Sequence, residues 1–233
     1  MHSAEHKDLF PLSLSQQNIL NLERALAGTS VNNISTTMRI NGRVDFAALQ
    51  QSINLVIESD ASLRTQLVRV EGQLMQYHAP FIREEFPVYD FSSTSAEGVE
   101  SWESAVTREL IPLEGGPLYR FVLFRDHETS GGILVKLHHI ISDGWSQVML
   151  CNKIGKTYLE LLSGKVPSLE EAPDYRLHVQ EEQDYLTSRA CRRDENYWKN
   201  IVQQIGEPSS LKNICSASAP SGIPAQRQSE TAA

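Results

Sequence analysis

The most constraining feature of this sequence is the stretch Leu134-Val135-Lys136-Leu137-His138-His139-Ile140-Ile141-Ser142-Asp143-Gly144-Trp145-Ser146. An apolar strand runs into two adjacent histidines, then an aspartate four residues later, then a glycine that opens a helix. Neighbouring strand residues point to opposite faces, so His138 and His139 cannot share one cleft. A zinc pair needs both ligands on one face, as at i and i+4 of a helix, and this spacing does not supply it. Asp143-Gly144 lets the chain fold back, and Asp143 is expected to brace the loop through a charge-assisted bond to backbone or to an arginine. A histidine at a strand end, close to the positive end of the following helix, is well placed to act as a neutral proton acceptor.

The flanking sequence supplies a frame of helices and strands. Ser13, with Gln16 three residues on, reads as a capping box for a helix ending near Gly28, with Ile19, Leu22 and Leu26 as its apolar stripe. Ile34–Ile40 reads as a strand, and Asp45 caps a helix through Phe46, Leu49, Ile53, Val56 and Ile57. Arg64–Val70 and Leu74–Tyr77 bracket Glu71-Gly72 as a hairpin. A third helix is expected over Ser95–Leu110, with Val99, Trp102, Val106 and Leu110 on one face, ahead of the Gly115-Gly116-Pro117 breaker. The strands Leu118–Arg125 and Gly132–His138 follow, then a helix from Trp145 to Gly164. One long charged helix is expected over Tyr175–Val202, with Leu177, Tyr185, Leu186, Tyr197, Trp198 and Ile201 as its apolar contacts. Trp145 and Trp198 read as helix-face core residues. Hairpins mixed with helices give an α/β class with a mixed sheet flanked by helices. Residues 1–10 read as a polar leader, 11–205 as the folded unit and 206–233, rich in Ser, Ala, Pro and Gln, as a flexible tail or a truncated start of a further lobe.

Composition removes several function classes. With 21 Lys+Arg against 29 Asp+Glu, the net charge of −8 and the lack of a basic block argue against nucleic acid. No apolar run reaches the ~18 residues that span a bilayer, and the charged N-terminus is no signal peptide. Cys151, Cys191 and Cys215 are three in number and far apart, which fits free thiols in a reducing cytoplasm. Ser142 and Ser146 lack a G-x-S-x-G elbow and read as turn and cap residues.

LHHIISDGWS resembles, residue for residue, the H-H-x-x-x-D-G signature of the condensation domains of nonribosomal peptide synthetases. PLSLSQQNILNLE is similar to that family's opening helix motif, and SDASLRTQL to its arginine-containing second motif. APDYRLHVQEEQDYL and NYWKNI are similar to its tyrosine-aspartate and Tyr-Trp helix, so the resemblance covers about Pro11 to Ile201. It implies one lobe of the two-lobed chloramphenicol-acetyltransferase-like fold. The implied reaction is attack of an acceptor amine on a donor thioester, both tethered to carrier proteins through 4'-phosphopantetheine, with no cofactor bound directly. By the same resemblance His139 faces the tunnel as a base or as an amine-positioning group. Asp143 is structural, and Gly144 supplies backbone near the reacting carbonyl. His138 and Arg64 are expected to support them.

The sequence departs from the family pattern in places. The second motif commonly reads R-H-E-x-L-R-T, where this chain has Ser59, Asp60, Ala61, Ser62, Leu63, Arg64 and Thr65; Asn18 replaces an arginine of the opening motif. Arg64 is therefore the one arginine at a family position available to Asp143, and a solvated strand arginine is the alternative. Cyclising relatives carry aspartate in place of the first histidine, and epimerising relatives continue D-G-V-S-W-R, so Asp143-Gly144-Trp145-Ser146-Gln147 favours condensation. A match beginning close to Met1 points to a first module or a free-standing enzyme, hence a starter type. The missing second lobe implies an isolated lobe with little turnover. Two other readings stay open: an acyl-CoA-dependent acyltransferase relative, and a non-catalytic carrier-docking module.

Overall fold

The computed structural model describes residues 9–205, so the expected tail at 206–233 and residues 1–8 of the expected leader lie outside the described residues. The chain divides into two compact units, one up to Asp184 and one from Tyr185. In the first, the elements run β1 (Phe10–Pro11), α1 (Leu14–Ala25), β2 (Asn33–Asn41), α2 (Phe46–Ser59), β3 (Thr65–Val70), β4 (Gln73–His78), β5 (Val88–Asp90), α3 (Ala96–Arg108), β6 (Tyr119–His127), β7 (Ser130–His138), α4 (Gly144–Leu162) and most of α5 (Tyr175–Thr187). Phe10, read as the end of the leader, is instead buried and pairs with Gln76 of β4.

The strands form two sheets, ordered β1-β4-β3 and β2-β7-β6-β5. In the larger sheet the β5–β6 pairing is parallel and the other two are antiparallel, so that sheet is mixed as expected. The β3–β4 hairpin closes at Glu71 (φ 49°) and Gly72 (φ 84°), and two positive φ values in succession match the right-handed twist of the strands. β7 is central and covered on both faces, so it reads as a continuous apolar run rather than an alternation. Its Ile133, Val135 and Leu137 pack with Leu49, Ile53 and Ile57 of α2 and with Leu150, Ile154 and Tyr158 of α4. Leu134 faces the other way, towards Val122 and Val106, with Trp102 against them. On that second face the fully buried Lys136 donates to the carbonyls of Val106 and Glu109 at the end of α3, where the helix leaves acceptors unpaired. Burial pushes its pKa down to about 8, and the Arg120 cation adds to the shift.

Several expectations need correction. In α1 Leu22 is 41% exposed, its C-cap Leu26 is 42% exposed, and the buried positions are Gln16 and Leu20. Gln16 goes inside because the buried Gln76 amide and the Ile140 carbonyl meet it there. Leu110 lies beyond the end of α3 and is exposed. The long charged helix is two helices, α5 and α6 (Arg189–Gln204), because extended Ser188 caps α6 by accepting from the Cys191 N–H. In the second unit α6 has no buried residue, and Trp198 is 62% exposed rather than core. Trp145 is 73% exposed, so it is not core either.

Candidate functional site

β7 delivers His138 and His139 to the end of the larger sheet, and the next residues make a tight turn. The Ile141 N–H donates to the His138 carbonyl (3.1 Å), and the His139 N–H donates to the Asn32 carbonyl (2.7 Å) just ahead of β2. Ile140 is buried among Leu12, Leu20, Leu67, Leu74 and Leu118, which pins the middle of the turn. Asp143 then ends the turn as the N-cap of α4.

The two imidazoles hold opposite tautomers, and backbone partners dictate this. His139 Nδ1 lies 2.7 Å from the Ser142 carbonyl oxygen. A carbonyl only accepts, so Nδ1 carries the hydrogen, and in the neutral ring Nε2 carries the lone pair. His139 is half-buried, and Nε2 has no hydrogen-bond partner among the described residues. His138 is buried, and its Nδ1 accepts from the Ile140 N–H (3.1 Å), so its hydrogen sits on Nε2, 3.7 Å from a Glu23 carboxylate oxygen. Burial draws the His138 pKa below its ordinary value, with Glu23 pulling the other way. β7 ends at His138 and His139 already belongs to the turn, so their different partners come from the turn and not from strand pleating, and the rings do different work.

Asp143 Oδ1 accepts from the Ser146 N–H (2.7 Å) and from the Ser146 hydroxyl (2.6 Å). Those bonds, the hydroxyl first, hold its carboxyl below the usual range. The brace is thus a helix cap rather than an ion pair. Arg64 lies in the 3-10 turn Ala61–Arg64 and donates to the carbonyls of Ile57 (2.7 Å), Glu58 (2.6 Å) and Ala79 (3.0 Å). It clamps the end of α2, and no Arg64–Asp143 bond exists among the described residues. Gly144 is exposed in the first turn of α4, with open space where a Cβ would stand. Beyond it α4 presents Trp145, Val148 and Met149, exposed by 73%, 51% and 54%.

Four residues that sequence reading did not assign to the site hold this turn. Gln16 Nε2 donates to the Ile140 carbonyl (3.1 Å) and to Gln76 Oε1 (2.8 Å), while Gln16 Oε1 receives Ser13 N–H (2.9 Å) and Gln76 Nε2 (2.7 Å). Gln147 Nε2 donates to the Val135 (3.1 Å) and Ile34 (3.3 Å) carbonyls, tying α4 to β7 and β2. Glu23 and Asn32 stand behind the histidines. Only Gln16 left a trace in the sequence, as half of a capping box.

Chemically, the turn presents one imidazole lone pair on a ring anchored at its other nitrogen. Protonation at Nε2 leaves the Nδ1–H to Ser142 bond intact, so the ring can take up and return a proton without turning.

The family model for the condensation domain matches residues 6–231. The chain belongs to the condensation domain family. Among curated relatives, a linear gramicidin synthase of Brevibacillus parabrevis is 29% identical over 201 residues, covering 84% of this chain and 4% of that protein. Bacitracin synthase 1 of Bacillus licheniformis is 28% identical over 216 residues, covering 91% of this chain and 4% of that protein. Among solved structures, the starter condensation domain of rhizomide synthetase superposes with a TM-score of 0.78 at 22% identity, covering 86% of this chain and 49% of that one. The first condensation domain of the CDA synthetase gives a TM-score of 0.73 at 19% identity, covering 88% and 53%. The chain therefore spans a small part of these synthetases and about half of a solved condensation domain. Its fold is one half of the two-lobed chloramphenicol-acetyltransferase-like architecture.

Proposed function

We propose that this chain is the N-terminal lobe of a condensation domain that joins a carrier-bound acyl or aminoacyl thioester to the amine of a carrier-bound amino acid. The observation that carries this reading is the His139 tautomer, with Nδ1–H fixed on the Ser142 carbonyl and Nε2 left to face a substrate. In the reaction the acceptor nitrogen attacks the thioester carbonyl, a C–N bond forms, and the C–S bond breaks. His139 Nε2 orients the amine or takes its proton, and that proton passes to the departing thiolate. Asp143 shapes the start of α4, and Gly144 leaves its backbone clear beside the reacting carbonyl. His138 holds the turn from behind, and Arg64 supports the lobe through the end of α2. The thioesters ride on 4'-phosphopantetheine arms of donor and acceptor carrier proteins, and the second lobe supplies the other wall of the site. Acyl transfer depends on holding both reactants at near-attack distance, so this chain alone turns over little. The unpaired Cys151 and Cys191 suit a reducing, cytoplasmic setting.

A second donor class has a specific observation behind it. The starter condensation domain of rhizomide synthetase has been solved in complex with C8-CoA, which favours an acyl-CoA donor and a starter role as the alternative. The test uses the intact synthetase containing this lobe, offered an acyl donor on a carrier or on CoA together with an aminoacyl carrier, with the amide read by mass spectrometry. Amide from the carrier-bound donor supports the proposal, and amide from the CoA donor alone selects the starter reading. Carrier binding without amide from either donor makes the lobe a docking module and overturns the proposal.

A further inference from the structure

We infer that Glu23 and Asn32 are positioning residues for His139. This rests on the reading of His139 as the reacting imidazole. Asn32 is 2% exposed, and its Nδ2 donates to the Glu23 carboxylate at 2.6 Å. A carboxylate only accepts, so this short charge-assisted bond fixes which way the Asn32 amide points. The Asn32 main-chain carbonyl takes the His139 N–H at 2.7 Å. The same Glu23 oxygen lies 3.7 Å from His138 Nε2, and the other nitrogen of that ring accepts the Ile140 N–H. One carboxylate on α1 thus governs the main chain at His139 and Ile140 through two separate routes.

The Asn32 Oδ1 atom is buried with no hydrogen-bond partner among the described residues. A stranded buried carbonyl costs free energy and calls for an explanation. Here the amide orientation that satisfies Glu23 leaves Oδ1 stranded. The consequence falls on the turn that must present His139 Nε2 while its Nδ1–H stays on Ser142. Loosening Asn32 frees the residue 139 main chain and lets the ring exchange tautomers.

The test is nitrogen-15 NMR of histidine-labelled 233-residue chain, reading the ring tautomers directly, beside kinetics of the same variants in the intact synthetase. Wild type shows His139 protonated on Nδ1 and His138 on Nε2. Glu23→Ala and Asn32→Ala give mixed tautomers at His139 and lower kcat about 10- to 100-fold, with the donor KM within about two-fold. Glu23→Gln, whose Oε1 still accepts from Asn32, restores both readouts towards wild type and serves where the alanine variant fails to fold. An unchanged His139 tautomer in folded Glu23→Ala or Asn32→Ala overturns the inference, whatever happens to kcat. So does Glu23→Gln behaving like Glu23→Ala. Shifted tautomers in a synthetase whose wild type forms no amide sustain the positioning role and dispose of the proposed function instead.

Discussion

Gln16→Ala offers a demanding test of how the site turn is held, because the residue is 4% exposed yet fully engaged. Its side-chain nitrogen serves two acceptors, Gln76 Oε1 at 2.8 Å and the Ile140 carbonyl at 3.1 Å. Its oxygen serves the Ser13 N–H and Gln76 Nε2 at 2.9 and 2.7 Å. Gln76 Nε2 retains the Pro11 carbonyl at 2.9 Å, so truncation strands the two acceptors and the Ser13 N–H, all three in buried surroundings. A stranded buried donor or acceptor costs about 1–3 kcal/mol, which places Gln16→Ala at about 3–9 kcal/mol. That is a large fraction of the roughly 5–15 kcal/mol by which domains are commonly stable. Urea unfolding of the 233-residue chain, followed by circular dichroism and tryptophan fluorescence, measures it. Because Gln16 and Gln76 satisfy each other, the double variant Gln16→Ala/Gln76→Ala should cost at least about 1 kcal/mol less than the sum of the singles. A Gln16→Ala loss below about 1 kcal/mol, or strict additivity, refutes the argument that the buried amide pair supports the turn.

Other outcomes follow from the same geometry. Asp143→Ala removes the α4 cap and should cost about 1 kcal/mol in thermal or urea unfolding, with Asp143→Asn losing much less. Because the folded Asp143 pKa lies below the unfolded value, the folded protein binds fewer protons. Its contribution is therefore complete above about pH 4 and is lost as pH falls through the folded pKa. A wild-type advantage over Asp143→Asn that did not shrink at all as pH was lowered below about 4 would contradict this. Gly132→Ala places a Cβ 2.0 Å from the Met38 carbonyl oxygen and 3.1 Å from Arg39 Cα across the β2–β7 pairing. It should destabilise by at least about 3 kcal/mol or prevent folding, read by circular dichroism. Gly144→Ala meets open space, so stability should stay within about 0.5 kcal/mol while amide formation by the intact synthetase slows. Wild-type activity in that variant would separate Gly144 from the reaction.

How much of this was legible in sequence depends on how local the cause is. The strand, turn and helix from Gly132 to Leu162 could be read because their determinants lie within a few residues of their effect, although the cap falls on Asp143 and not on Ser146, which lies inside α4. The different surroundings of His138 and His139 were anticipated from strand pleating, but the strand ends at His138 and the turn sets the second ring. Gln16 escapes a periodicity count, which scores leucines, because the partners that draw the amide inside are Gln76, 60 residues away, and the Ile140 carbonyl, 124 away. Arg64 escapes for a related reason, since its three partners are main-chain carbonyls, which carry no residue signature. The α4 helix has an apolar face at Leu150, Ile154 and Tyr158 and another at Trp145, Val148 and Met149. Sequence alone does not say which one is covered. β1 and β5, two and three residues long, are too short to leave a pattern. The break at Ser188 depends on one hydroxyl choosing a cap over a continuous helix.

The central claim is that His139 presents its Nε2 lone pair to the acceptor amine. The most direct measurement is the amide-forming rate of His139→Ala in the intact synthetase, with carrier loading and circular dichroism as controls. The account predicts a fall of at least about 100-fold with folding and loading unchanged. A variant that forms amide at the wild-type rate would contradict it.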